Sequence, residues 1–156
     1  IDGRPMIESS ALALWVALQR REAGLVPESS EGLRDCLQWV VHGPAELDPH
    51  LALLNQQTRF LPLDQRDPAR RDAALETLFR RLERIAAVVE RQPWLAGEAF
   101  SLADVVIGHS VAWARMLDQL GDFPSLQTYL DRLAERPSFV QTYGGPIATF
   151  PDPHAA

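Results

Sequence analysis

The chain has 156 residues, of which 46% are hydrophobic and 23% charged, with a net charge of −6 at pH 7. Such a composition buries the core of one domain and excludes disorder, and charges interrupt every long apolar stretch before the roughly 20 residues of a spanning helix. The negative balance repels a phosphate backbone, so neither nucleic acid nor a membrane is an expected partner.

In chain order, Asp2-Gly3 is a hairpin-type turn, and Pro5-Met6-Ile7 reads as the end of a strand or the approach to a helix. From Glu8 to about Glu22, Ile7, Ala11, Leu14, Trp15 and Leu18 keep a helical period that Gly24 and Pro27 stop. Residues 24–32 are the linker. Leu33, Leu37, Val40 and Val41 mark the next helix, which Pro44 and Pro49 interrupt before Leu51 and Leu54 resume it. Proline removes a donor and clashes with the preceding turn, so a kinked or broken element is expected from 33 to about 60.

The single cysteine, Cys36, has no basic or histidine partner one helical turn away and reads as a small packed thiol. One cysteine allows no internal disulfide and fits a reducing cytoplasm, and nothing in residues 1–4 resembles a secretory leader. With no second cysteine and no tight histidine pair, no metal is expected.

Residues 69–91 give the clearest periodicity. Leu75, Leu78, Phe79, Leu82, Ile85, Ala86 and Val89 form one stripe. Arg66, Arg70, Arg71, Arg80, Arg81 and Arg84 are interleaved with Asp67, Asp72, Glu76 and Glu83, the pattern of a solvated face. Pro93 ends this helix. Ser101 and Asp104 then form a capping box, with Asp in place of the usual Glu and with Phe100 and Val105 at the staple positions. The helix they open carries Leu102, Val106, His109, Trp113, Met116 and Leu120 on one face and closes at Gly121. On that stripe His109 reads as a buried, satisfied imidazole. Helices at about 124–135 and 137–143 precede a proline-containing tail. The fold class is all-α, a helical bundle.

The segment Trp94-Leu95-Ala96-Gly97-Glu98-Ala99-Phe100-Ser101-Leu102-Ala103-Asp104 resembles the stretch that opens the buried core helix in C-terminal domains of glutathione transferases. Phe123-Pro124-Ser125-Leu126 and Arg136-Pro137-Ser138-Phe139 are similar to later family elements, and residues 2–12 resemble the last strand, turn and helix of the family's thioredoxin-like domain. The resemblance implies a remnant of that domain at 1–23, a linker at 24–32 and a transferase-like helical domain at 33–156. Ile1 opens partway through the remnant, so the chain is expected to be a piece of a longer protein. The box at Ser101 and Asp104 is then a folding element, not a catalytic one.

The resemblance also implies roles. Glu8 and Ser9 are similar to the acidic-Ser pair that holds the γ-glutamyl end of glutathione, where a helix N-terminus offers free N–H groups to a carboxylate. The local pattern alone reads them as a helix start. Trp39, His42 and Trp113 are implied as walls of a hydrophobic-substrate pocket, with Tyr143 and Phe150 as weaker candidates; singly, each reads as core packing. No thiol-activating Tyr, Ser or Cys has a counterpart, so no catalytic residue is assigned. Glutathione as co-substrate, a small hydrophobic electrophile, the missing thioredoxin-like domain and, in the full-length parent, a homodimer are the implied partners. The implied activity is glutathione conjugation or peroxide reduction by the parent; the alternative is a non-catalytic helical module for protein assembly.

Overall fold

The computed structural model describes residues 3–151. Asp2 of the expected turn and residues 152–156 of the tail lie outside them. The element order is α1 (Ser9–Gln19), a 3₁₀ turn (Arg21–Ala23), α2 (Ser30–His42), a π-helical turn (Gly43–Leu47), α3 (Asp48–Asn55), a second π-helical turn (Gln56–Phe60), a 3₁₀ turn (Leu63–Gln65), α4 (Pro68–Val89), α5 (Leu102–Met116), α6 (Pro124–Ala134) and α7 (Pro137–Tyr143). The all-helical expectation holds, and no helix of the described residues is long and apolar enough to cross a membrane.

Two boundaries differ from the sequence reading, each for a local reason. The described part of the expected strand remnant, residues 3–8, is turn and irregular chain. A lone strand has no ladder to join, and without a sheet its backbone groups bond to water instead. Helix α2 starts three residues early, because the Ser29 hydroxyl accepts the Gly32 N–H at 3.1 Å and caps it. The linker therefore ends before 30. The kinked or broken element expected between 33 and 60 takes the form of a helical path interrupted twice, by a π-turn between α2 and α3 and by another after α3. Widening the turn to an i→i+5 pattern at Gly43–Leu47 accommodates Pro44, which has no N–H to give, and Pro49 falls in the first turn of α3 where no donor is needed.

Helix α4 follows its stripe. Asp67 caps it through bonds from Ala69 N–H at 2.9 Å and Arg70 N–H at 3.2 Å, and Leu78, Leu82, Ile85, Ala86 and Val89 are buried. The buried Gln57 fixes this start by accepting the Asp67 N–H at 2.7 Å. Of the interleaved arginines, Arg81 reaches across to Glu46 at 2.7 Å.

Helix α5 runs through the middle, packed on α2, α6, α1 and α3. Its expected stripe is corrected. The buried set is Leu102, Ala103, Asp104, Ile107, Gly108, Ser110, Val111, Ala112 and Ala114, whereas Val106, Trp113 and Met116 are half-buried and His109 is exposed. A helix wrapped on several sides is approached most closely where its side chains are small. A Cβ at Gly108 would meet Leu133 Cδ1 of α6 at 2.8 Å, and one at Gly43 would meet Val106 Cγ1 at 2.9 Å. The helix ends at Met116 and Asp118 takes the left-handed conformation (φ 61°), a role expected of Gly121.

Helix α1 packs one side on α5, yet Ala17 is its sole buried residue among those described. Leu12, Trp15, Val16 and Leu18 stand 36–48% exposed, and Leu37 and Val41 of α2 are exposed as well. The chain leaving α1 is pinned where the Leu102 N–H, one of the unpaired donors in the first turn of α5, bonds Leu25 C=O at 2.8 Å. At the other end the tail is tied by Phe150 N–H to Met116 C=O (2.7 Å) and by an Arg59 guanidinium nitrogen to Pro151 C=O (2.9 Å).

Candidate functional site

The capping box forms at Ser101 and Asp104 and is deeper than a surface cap. Both residues are 1% exposed. One Asp104 oxygen accepts Leu95 N–H at 2.9 Å and Tyr129 O–H at 3.0 Å; the other accepts Ser101 N–H at 2.8 Å and Ser101 O–H at 3.1 Å. Four donors saturate the carboxylate, and Tyr129 joins α6 to the first turn of α5. Burial pushes the Asp104 pKa up against the pull of these bonds, and it pushes that of Tyr129 well above its ordinary value. With no oxygen left for a substrate, the pair is a structural hub.

Cys36 is likewise buried, and its thiol pKa is raised by burial. The packed-thiol expectation holds.

The N-terminus of α1 has the opposite character. Glu8, Ser9 and Ser10 are exposed or half-buried, and no side chain caps the helix. Glu8 sits at φ 68°, ψ 107°, a conformation that costs a non-glycine residue about 1–3 kcal/mol and that clusters at functional positions. Grooves flank this end on both sides. One, of about 440 Å³, is lined by Glu8, Ser10, Leu14, Val41 and Pro44 among others; the second, of about 310 Å³, by Ser9, Ser10, Asp48, Val105, Val106 and His109. Asp48 is held there by a 2.7 Å bond from the Ser110 hydroxyl.

Of the implied wall residues, Trp39 and His42 meet on α2 and Trp113 lies on α5. Trp39 is 8% exposed and meets His42 edge-to-face at 5.3 Å. His42 is half-buried, its pKa lowered by burial, and its Nε2 is enclosed without a partner among the described residues. Trp113 lies on α5, half-buried, 6.3 Å from the His109 ring. Phe150 lies under the Arg59 guanidinium at 4.5 Å, by the tail tie.

A cavity of about 580 Å³ opens instead between α5 and α7, and of the implied wall residues it takes Tyr143 alone. Its apolar walls include Leu25, Phe100, Val105 and Phe139, and its polar groups include His109, Arg136 and Tyr143. His109 is not the buried imidazole of the sequence reading: its Nδ1 meets the Tyr143 hydroxyl at 2.8 Å on the open side of α5. Reading the stripe by residue size hid this, because the small residues of α5 mark its buried faces.

Among known proteins, the family described as "Glutathione S-transferase, C-terminal domain" matches residues 39–137. A glutathione S-transferase-like protein of a Fusarium species is 28% identical over 93% of this chain and 68% of its own length. Elongation factor 1-gamma of Prunus avium is 25% identical over 92% of the chain, which spans 34% of that protein. The theta class glutathione S-transferase of Xanthomonas axonopodis, solved with glutathione bound, superposes with a TM-score of 0.78 and 28% identity over 87% of this chain and 72% of that one.

Proposed function

From the premise that this chain belongs to the glutathione S-transferase family, we propose that it is the helical part of a glutathione transferase-like protein, holding one end of glutathione at α1 and walling the site of a small hydrophobic electrophile. The observation that carries this reading is the N-terminus of α1. Glu8 is strained, Ser9 and Ser10 are accessible, and neither serine caps the helix. A helix start with free N–H groups and the positive end of its dipole suits a carboxylate, the Ser9 hydroxyl adds a donor, and Glu8 meets an ammonium group. The γ-glutamyl end of glutathione presents both charges. Trp39, His42 and Trp113 remain the proposed residues on the electrophile side, acting through the helices that carry them.

Activation of the thiol is assigned to a thioredoxin-like domain, since the thiol is a weak nucleophile until its thiolate is stabilised and the family's thiol-activating Tyr, Ser or Cys has no counterpart in this sequence. The α1 face bearing Leu12, Trp15, Val16 and Leu18 suits such a covering domain: α1 is apolar all round, the pattern of a helix enclosed on every side. A homodimer belongs to the same reading of the longer protein.

In a titration of ¹⁵N-labelled chain with glutathione, the amides of residues 8–11 are expected to move first. Shifts that spare them would overturn the placement. The chain alone should give no glutathione–chlorodinitrobenzene turnover above background, and clear turnover would place the thiol chemistry within these residues. A non-catalytic assembly module is the second reading, favoured by the similarity to elongation factor 1-gamma. It gains if residues 8–11 fail to respond.

A further inference from the structure

A separate groove lies where α5, α6 and α7 meet the tail. No residue of α1 lines it, and it shares only Phe139 with the larger cavity. Its volume is about 250 Å³, below that of sites for drug-sized ligands, so it suits a small molecule. Leu130, Phe139 and Ile147 give it apolar walls. Gln127 also lines it, but its amide N–H is spent on Leu120 C=O at 2.9 Å. The other polar side chains are Arg115, in the last turn of α5, and Asp131 on α6. They bring opposite charges to one groove, yet among the described residues neither pairs with the other or with any further charged side chain. The tail wall is fixed from outside the groove. Phe150 N–H bonds Met116 C=O, next to Arg115, at 2.7 Å, and Arg59 holds Pro151 C=O at 2.9 Å.

We infer that this groove binds a free α-amino acid with an apolar side chain. Its carboxylate lies on Arg115, its ammonium on Asp131, and its side chain against Leu130, Phe139 and Ile147. The guanidinium fork matches a carboxylate in two parallel bonds, and the Asp131 carboxylate accepts from an ammonium. A simple anion drawn to Arg115 would meet Asp131, and a simple amine drawn to Asp131 would meet Arg115, each with a repulsive cost. A zwitterion satisfies both walls at once. The inference does not depend on glutathione at α1, although the γ-glutamyl end carries the same two charges, so the experiment separates the two places.

The probe is L-leucine, titrated into the ¹⁵N-labelled chain and followed in parallel by calorimetry. One-to-one saturable binding is expected, with shifts at residues 115, 127, 130, 131, 134, 139 and 147. Arg115→Gln should weaken it about tenfold, the scale of a lost charged hydrogen bond. Asp131→Asn should weaken it about threefold, because Asp131 is exposed and its attraction is screened. Neither position is buried, so both variants should keep the wild-type Tm. Leucinamide and N-acetylleucine each keep the side chain and lose one charge. The first should be indifferent to Arg115→Gln and the second to Asp131→Asn. Ala134→Leu, at a half-buried position on the groove wall, should abolish leucine binding by filling the space. Absence of saturation, equal affinity for leucine and its two derivatives, or affinity indifferent to Arg115→Gln would overturn the assignment. Shifts confined to residues 8–11 would also overturn it while leaving the glutathione reading at α1 in place.

Discussion

The two helix starts at α5 and α1 solve the same problem in opposite ways. Each has unpaired N–H groups and each is preceded by serine-rich or acidic sequence. At α5 every donor and acceptor of the cap is committed inward: Ser101, Asp104, Leu95 and Tyr129 close on one another in the core. At α1 no side-chain cap is made among the described residues: Glu8 is strained, and the apolar residues behind the start are partly bare. A saturated helix start holds a fold together, and an unsaturated one is free to hold something else. Residue type alone does not separate the two.

The comparison is broken most severely at Asp104. Asp104→Ala strands enclosed donors of Leu95, Ser101 and Tyr129, and should cost about 3–5 kcal/mol, lowering Tm by roughly 10 °C in a thermal melt. Retention of wild-type Tm would show that the hub is not structural. Asp104→Asn is milder and exposes the charge term. Burial holds the Asp104 pKa above its unfolded value near 3.8, so the carboxyl's contribution is complete below that pH and declines as pH rises through the raised folded value. The stability difference between wild type and Asp104→Asn should therefore narrow as pH increases, which denaturant melts from about pH 4 upward measure. A gap that widens would reverse the sign of the assigned shift.

Next in size is the close crossing of Gly43 on α5. Gly43→Ala puts a Cβ 2.9 Å from Val106 Cγ1, and the overpacking should cost about 1–3 kcal/mol in chemical denaturation. The smallest effect belongs to the other helix. Leu12→Ser with Val16→Ser on the uncovered face of α1 should change the stability of this chain by less than about 0.5 kcal/mol per site while reducing its binding of an apolar dye. A loss as large as that at Gly43 would mean that this face is already core.

Helix existence was legible because the stripe of α4 and the box at Ser101 and Asp104 are local patterns, fixed within a few residues. The interruption expected at Pro44 and Pro49 takes the form of a π-turn and not of a chain break, because the proline rule assumes an i→i+4 ladder and the π-turn relaxes it. The burial of α5 was misread because the rule followed large apolar residues, where Ala, Gly and Ser mark a helix enclosed from several sides. The α5–α7 cavity was out of reach for a third reason. Phe100, His109, Arg136 and Tyr143 come from separate elements, and only the folding of α7 back on α5 brings them together.

The bond from Leu102 to Leu25 bears on how anything attached through α1 would move. It rivets the connector behind α1 to the opening turn of α5, where the backbone is locked by the Asp104 carboxylate. Rotation about that connector would have to break the Leu102–Leu25 bond at a buried, hydrogen-bonded turn. A body carried on α1 is therefore mounted on a stiff bracket, and its orientation is decided by the same turn that organises the interior.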